Sequence, residues 1–170
     1  MSLWKQKNYT GCALGRVLNW TELETDLINW RSSGKIIVFT NGCFDLLHRG
    51  HVEYLNKAKK LGDILILGLN SDQSVRLLKG PDRPFVSEED RAYILSQLLS
   101  VDVVTLFEEE TPYNLINLVK PNILVKGADY SPDKIIGRDI VEKNGGRVIP
   151  ITLVEGRSTT GLIERIRSSS

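Results

Sequence analysis

An apolar run, Lys35-Ile36-Ile37-Val38-Phe39, leads directly into Thr40-Asn41-Gly42-Cys43-Phe44-Asp45-Leu46-Leu47-His48-Arg49-Gly50-His51, and this junction constrains the chain more than any other stretch. The run reads as a strand and Asn41-Gly42 as a turn. Leu47, Val52, Leu55 and Ala58 then mark the apolar side of a helix that reaches Leu61-Gly62. At such a junction the first backbone N–H groups of the helix have no internal partners, and the helix dipole adds partial positive charge, which together suit a phosphate. His48 and His51 stand three residues apart, so a helix puts them on one face, and Gly50 between them removes a Cβ that would hold a ligand away. They are the chain's two histidines. As a metal site they would need further ligands, and Cys12 and Cys43 do not supply the spacing. The junction therefore reads as a phosphate site.

The rest of the chain repeats the alternation of strand and helix. Thr21-Glu22-Leu23-Glu24 has the form of a capping box, with Leu23, Leu27 and Trp30 on one face of a helix over 21–33. Residues 64–69 form a continuous apolar run, expected of a strand covered on both faces, and Ser71 or Asp72 can cap the helix that follows. Ser87 starts another helix, and residues 101–107 read as a third strand. Ile123, Leu124 and Val125 make a fourth strand that ends in Lys126-Gly127-Ala128-Asp129-Tyr130. A helix starting at Ser131-Pro132 breaks at Asn144-Gly145-Gly146, residues 147–151 form a fifth strand, and the last helix starts near Ser158-Thr159-Thr160. The expected fold is α/β: a Rossmann-like, doubly wound, parallel five-stranded sheet with helices on both faces. Residues 1–20 are expected to be a leader or arm, 21–167 a single domain, and 168–170 a tail.

Fold alone does not settle function, but the G-x-G-x-x-G fingerprint of dinucleotide oxidoreductases is absent. Lys+Arg 22 against Asp+Glu 21 gives a net charge of +1, so no broad field exists for gripping a nucleic acid. The most apolar run is too short to span a bilayer and no signal-peptide core is visible, so a soluble, cytoplasmic protein with free thiols is expected.

His48-Arg49-Gly50-His51 after Thr40-Asn41-Gly42-Cys43-Phe44-Asp45 resembles the HxGH signature of the cytidylyltransferase-like nucleotidyltransferases. Asn70-Ser71-Asp72, Leu78-Lys79-Gly80, Arg83-Pro84, Val125-Lys126-Gly127-Ala128-Asp129-Tyr130 and Val154-Glu155-Gly156-Arg157-Ser158-Thr159-Thr160 further resemble the adenylyltransferase domain of bacterial ADP-heptose synthases. That resemblance implies transfer of AMP from ATP to a heptose 1-phosphate, with Mg²⁺ on the triphosphate. It makes His48, His51 and Lys79 catalytic. It makes Thr40, Asn41, Gly42, Cys43, Phe44, Gly50, His51, Lys126, Gly127 and Asp129 nucleotide-binding residues, with Arg157, Ser158, Thr159 and Thr160 on the β and γ phosphates. Asp45, Asn70, Asp72, Arg83 and Arg91 are candidates near the sugar phosphate, and Arg91 reads equally as a solvated helix charge. No metal site made by protein side chains is expected. A separate sugar kinase is implied, and a homodimer is possible. The alternatives are a cytidylyltransferase acting on glycerol 3-phosphate and a nucleotide-binding module without turnover. The loop 78–86, rich in glycine and proline, is expected to close over bound nucleotide.

Overall fold

The computed structural model describes residues 14–127, 135–152, 156 and 159–168. In chain order the elements are β1 (Arg16–Val17), α1 (Trp20–Ser32), β2 (Ile37–Gly42), α2 (Arg49–Lys59), β3 (Ile64–Asn70), α3 (Asp72–Lys79) and α4 (Glu88–Ser96). They continue with β4 (Val103–Phe107), α5 (Tyr113–Val119), β5 (Ile123–Gly127), α6 (Arg138–Lys143), β6 (Arg147–Ile151) and α7 (Thr159–Ser168). The strands form one parallel sheet in the order β1-β4-β3-β2-β5-β6.

The apolar runs are continuous because the sheet is covered on both faces, and the pleat divides them residue by residue. Ile37, Phe39, Ile66 and Leu124 face one core with Leu23 and Leu27 of α1, Leu115 and Ile116 of α5, and Val141 of α6. Val38, Leu65, Leu67, Ile123 and Val125 face the opposite core with Tyr54, Leu55 and Ala58 of α2 and Ala92 and Leu95 of α4. Burying each large aliphatic side chain of this kind contributes on the order of 2 kcal/mol. β6 lies at the sheet edge, which is why it tolerates Pro150.

The sheet has six strands rather than the expected five. The additional strand, β1, is two residues long and shows no alternation that a sequence could reveal. It is defined by pairing with β4, where Arg16 N donates to Asp102 O at 2.9 Å and Leu18 N to Val104 O at 2.9 Å. The stretch assigned to a leader or arm therefore contributes to the sheet from Arg16 onward. Helix α1 also starts earlier than expected, because Asn19, not Thr21, is its cap. Asn19 Oδ1 accepts from Glu22 N and Glu22 Oε2 accepts from Asn19 N, both at 3.0 Å, and Trp20 Nε1 reaches the carbonyl of Leu106 at 2.8 Å. Ser71 and Ser87 cap α3 and α4 as expected. The start expected at Ser131-Pro132 lies outside the described residues.

Strand order reverses at β2. The chain steps from β2 to β3 to β4 on one side and places β5 and β6 on the other, which opens a crevice at the carboxyl ends of β2 and β5. Tight packing behind that crevice depends on Gly68, where a Cβ would meet Phe39 Cζ at 2.8 Å and Leu115 Cδ2 at 3.0 Å. Gly68→Ala should lower unfolding stability in urea by about 1–3 kcal/mol through overpacking. An unchanged urea midpoint would contradict this packing.

Candidate active site

The loop leaving β2 is shaped by close contact rather than by a long excursion. A Cβ on Gly42 would lie 2.9 Å from the ring of Phe44, so glycine makes room for that ring. Phe44 itself adopts a left-handed backbone with φ of 44°, a conformation unfavourable for a large side chain, and its buried ring holds it there. The ring lies 5.1 Å from that of His51. His48 is the N-cap of α2 but makes no side-chain capping bond, so no cap competes for the donors of the first turn. His48 and His51 stack face to face, with ring centroids 3.8 Å apart and planes 19° apart.

Burial, reinforced by the charges of His48 and Lys79, lowers the His51 pKa to about 4. At neutral pH His51 is thus an uncharged imidazole, able to donate one hydrogen bond. Its Nδ1 is buried with no hydrogen-bond partner among the described residues. Lys79 closes α3, followed by Gly80 at φ of 94°, and its charge acts on both His51 and Cys43. Burial pushes the Cys43 thiol up, as expected of a small half-buried side chain beside the site.

On the other side of the crevice, Lys126 Nζ donates to Asn41 Oδ1 and so links the ends of β5 and β2. Burial lowers the Lys126 pKa to about 8. Gly127 ends β5, and Lys57 of α2 reaches the carbonyl of Thr152 at 3.3 Å. Thr159 and Thr160 open α7 as expected, whereas Asp129, Arg157 and Ser158 lie outside the described residues. Thr40 is fully buried, and its hydroxyl pairs with that of Tyr54 at 2.7 Å. Tyr54 was not legible as the partner of Thr40, because its spacing on α2 marks only an apolar face.

The five candidates for the sugar phosphate are brought together, but largely to bind one another. Asp45 is buried; its Oδ2 accepts from Arg83 Nε at 2.6 Å, and its Oδ1 accepts from Phe85 N at 2.8 Å and Val86 N at 3.0 Å. Arg91 is only 1% exposed, so it is not a solvated helix charge. It donates to Val86 O, Cys43 O, Asn70 O and Asp72 Oδ1 at 2.6–2.9 Å. Asn70 Nδ2 is engaged by Ser74 Oγ, and Asp72 N donates to Glu88 Oε2 at 2.6 Å. Arg83 retains a buried Nη2 without a partner among the described residues. The loop expected to close over nucleotide is therefore anchored through residues 83–86, which leaves residues 80–82 outside that anchor. A cavity of about 430 Å³ at the amino ends of α3 and α4 is lined by the carboxylates of Asp72, Glu88, Glu89 and Glu108 against the one cation Arg76, and not by the histidines. Its carboxylates would repel a triphosphate.

The family model for cytidylyltransferase-like proteins matches residues 39–164. The chain belongs to the cytidylyltransferase-like family. That membership agrees with the nucleotidyltransferase assignment drawn from the HxGH stretch. Among curated relatives of this cytidylyltransferase-like chain, the bifunctional protein HldE of Syntrophotalea carbinolica is 61% identical over 136 residues, which cover 80% of the chain and 28% of the relative. HldE of Methylobacillus flagellatus is 48% identical over 163 residues, covering 96% and 33%. The chain thus spans about a third of the length of these relatives. The solved structure of a lipopolysaccharide core biosynthesis protein from Thermoplasma volcanium GSS1 matches with a TM-score of 0.62 and 31% identity, covering 72% of the chain and all of that structure.

The lowered pKa of His51 has a measurable consequence. Because the folded value, about 4, lies below the ordinary 6.5, the unfolded chain takes up a proton that the folded chain refuses. Stability should fall as pH is lowered from about 6.5 to about 4 and this contribution should then level off. An NMR titration should place the His51 midpoint near 4; a midpoint near 6.5 would contradict the buried, stacked geometry.

Proposed function

We propose that this chain transfers the adenylyl group of ATP to a heptose 1-phosphate, releasing pyrophosphate and ADP-heptose for lipopolysaccharide core or a related glycan. The observation that carries the reading is the stacked pair His48 and His51 at the start of α2, in the crevice where strand order reverses. The sequence resemblance to ADP-heptose synthases and the similarity to a lipopolysaccharide core biosynthesis protein support the choice of acceptor.

The acceptor phosphate is already a nucleophile at neutral pH, so no covalent enzyme intermediate is needed. One of its oxygens attacks the α-phosphorus of ATP in line while the bond to the bridging oxygen of pyrophosphate breaks. His48 and His51 would donate to oxygens of the α-phosphate and the bridge. A neutral His51 stabilises the transition state through a directed hydrogen bond, while Lys79 brings the positive charge. Arg157, Ser158, Thr159 and Thr160 would hold the departing phosphates, and Lys126, Gly127 and Asp129 the adenine side. Asp45, the carboxylate on the signature loop, spends both oxygens on Arg83 and the main chain. Mg²⁺ would accordingly be bound by oxygens of the triphosphate and by water, and would offset charge on the phosphates.

A sugar kinase would supply the heptose 1-phosphate, and the chain would work in the cytoplasm. No helix among the described residues is long and apolar enough to cross a membrane.

Incubation with ATP, Mg²⁺ and a heptose 1-phosphate should yield pyrophosphate and ADP-heptose in step, without orthophosphate. Faster turnover of CTP with glycerol 3-phosphate would overturn the choice of substrates. A base pocket that leaves polar groups unpaired with the wrong base should favour ATP over CTP by about tenfold to a hundredfold in kcat/KM. His48→Ala or His51→Ala should lower kcat by about 10² or more with little loss of ATP binding, since the donors act mainly on the transition state. Near-normal kcat in either variant would remove the histidines from the chemistry.

A further inference from the structure

Resting on the adenylyl-transfer reading, we propose that Arg91 is a positioning residue for the reaction. Its buried guanidinium fixes the loop that carries the histidines relative to the wall made by residues 83–86, and so sets the line along which the acceptor phosphate meets the nucleotide.

The four acceptors of Arg91 come from four separate segments. Nη1 binds the carbonyls of Cys43, on the loop after β2, and of Asn70, at the end of β3. Nε binds the carbonyl of Val86, just before α4, and Nη2 the carboxylate of Asp72, at the start of α3. A planar fork with donors in fixed directions can span such a set, whereas a lysine ammonium presents its donors from one point. Asp45 adds a second tie between the same two loops, since from the signature loop it holds Arg83 Nε and the amides of Phe85 and Val86.

Packing alone does not require a charge here. The small cavity beside Arg91, about 120 Å³, is lined mostly by apolar side chains, Phe44, Leu46, Leu47, Val86 and Ile94, with Asp45 the one carboxylate among them, and that carboxylate is already held by Arg83, Phe85 and Val86. A guanidinium that is 1% exposed carries a desolvation cost, and a polar network of this kind is favourable only when its members are satisfied. What the arginine adds over a hydrophobe is direction: it holds four segments of the chain at set distances, three by main-chain carbonyls and one by the Asp72 carboxylate. In-line attack needs that precision, because a misplacement of about 1 Å can cost about 10² in rate. Arg91 achieves this through its protein contacts, without touching either substrate.

The test is Arg91→Lys in the full chain, read in three ways: ATP·Mg²⁺ affinity by calorimetry, kcat and KM with the heptose 1-phosphate, and hydrogen exchange of peptides covering 43–47, 83–88 and 123–127. Expected are a fall in kcat of about 10² with the ATP Kd changed less than about threefold. Exchange should quicken in both 43–47 and 83–88 but not in 123–127. A kcat within about threefold of the unaltered chain would overturn the proposal, as would a parallel loss of ATP binding and protection everywhere. If Arg91→Lys does not fold, Asp72→Asn removes the charged partner while leaving three carbonyl acceptors. It should show the same split with a smaller fall in kcat, about tenfold, and an unchanged kcat would overturn the proposal. Failure of the unaltered chain to make ADP-heptose would sink the functional reading instead. The exchange measurement needs no acceptor and still decides between the alternatives, since loops that do not loosen together refute the coupling by Arg91.

Discussion

The position of β2 in the sheet governs the rest of the molecule. It is hydrogen-bonded to β3 on one side and β5 on the other, and the chain runs from it through β3 and β4 on one side before crossing over to β5 and β6 on the other. Helices therefore cannot cover the carboxyl end of β2 from both sides at once, and a crevice opens where its loop turns into α2. The signature loop occupies that place. Gly42, the left-handed Phe44 and the uncapped start of α2 are local adjustments that bring two imidazoles to it in a stacked pair.

Electrostatics around the crevice are organised by burial and pairing rather than by net charge. The whole chain carries a net charge of +1, yet Lys79, Arg83, Arg91 and Lys126 all lie near the ends of β2, β3 and β5. Two of these cations are neutralised internally, Arg83 by Asp45 and Arg91 by Asp72. Burial keeps His51 uncharged and weakens the hold of Lys126 on its proton. The site thus separates groups that shape it from groups available to a polyanion. Charge on a bound triphosphate would be met by Lys79 and by donors of the loop and helix starts, while the arginine and carboxylate pairs keep the walls in place.

The alternation of buried strands and capped helices, the caps at Ser71 and Ser87 and the junction at 35–51 are all local patterns, and each was legible in the sequence. They rest on side-chain periodicity and on hydrogen bonds within a few residues. β1 was not legible, because two residues carry no period and their partner, β4, lies far away in sequence. The cap of α1 lies two residues before the one its pattern suggests, because Thr21 and Asn19 both head a sequence with Glu at the third following position; pairing with β4 and the anchoring of Trp20 to Leu106 favour the earlier start.

Sequence by itself determined the class of fold and the family, since the HxGH stretch combines residue type, spacing and a strand-to-helix junction within a dozen positions. Only the tertiary structure decided which named residues face the crevice and which serve as its frame. Thr40 pairs with Tyr54, Asp45 saturates itself on Arg83, Phe85 and Val86, and Arg91 disappears into four acceptors from four segments. The physical reason is that a polar side chain carries no mark of its partner. An exposed arginine and a buried one share the same letter, and the difference appears only when distant carbonyls converge around the guanidinium.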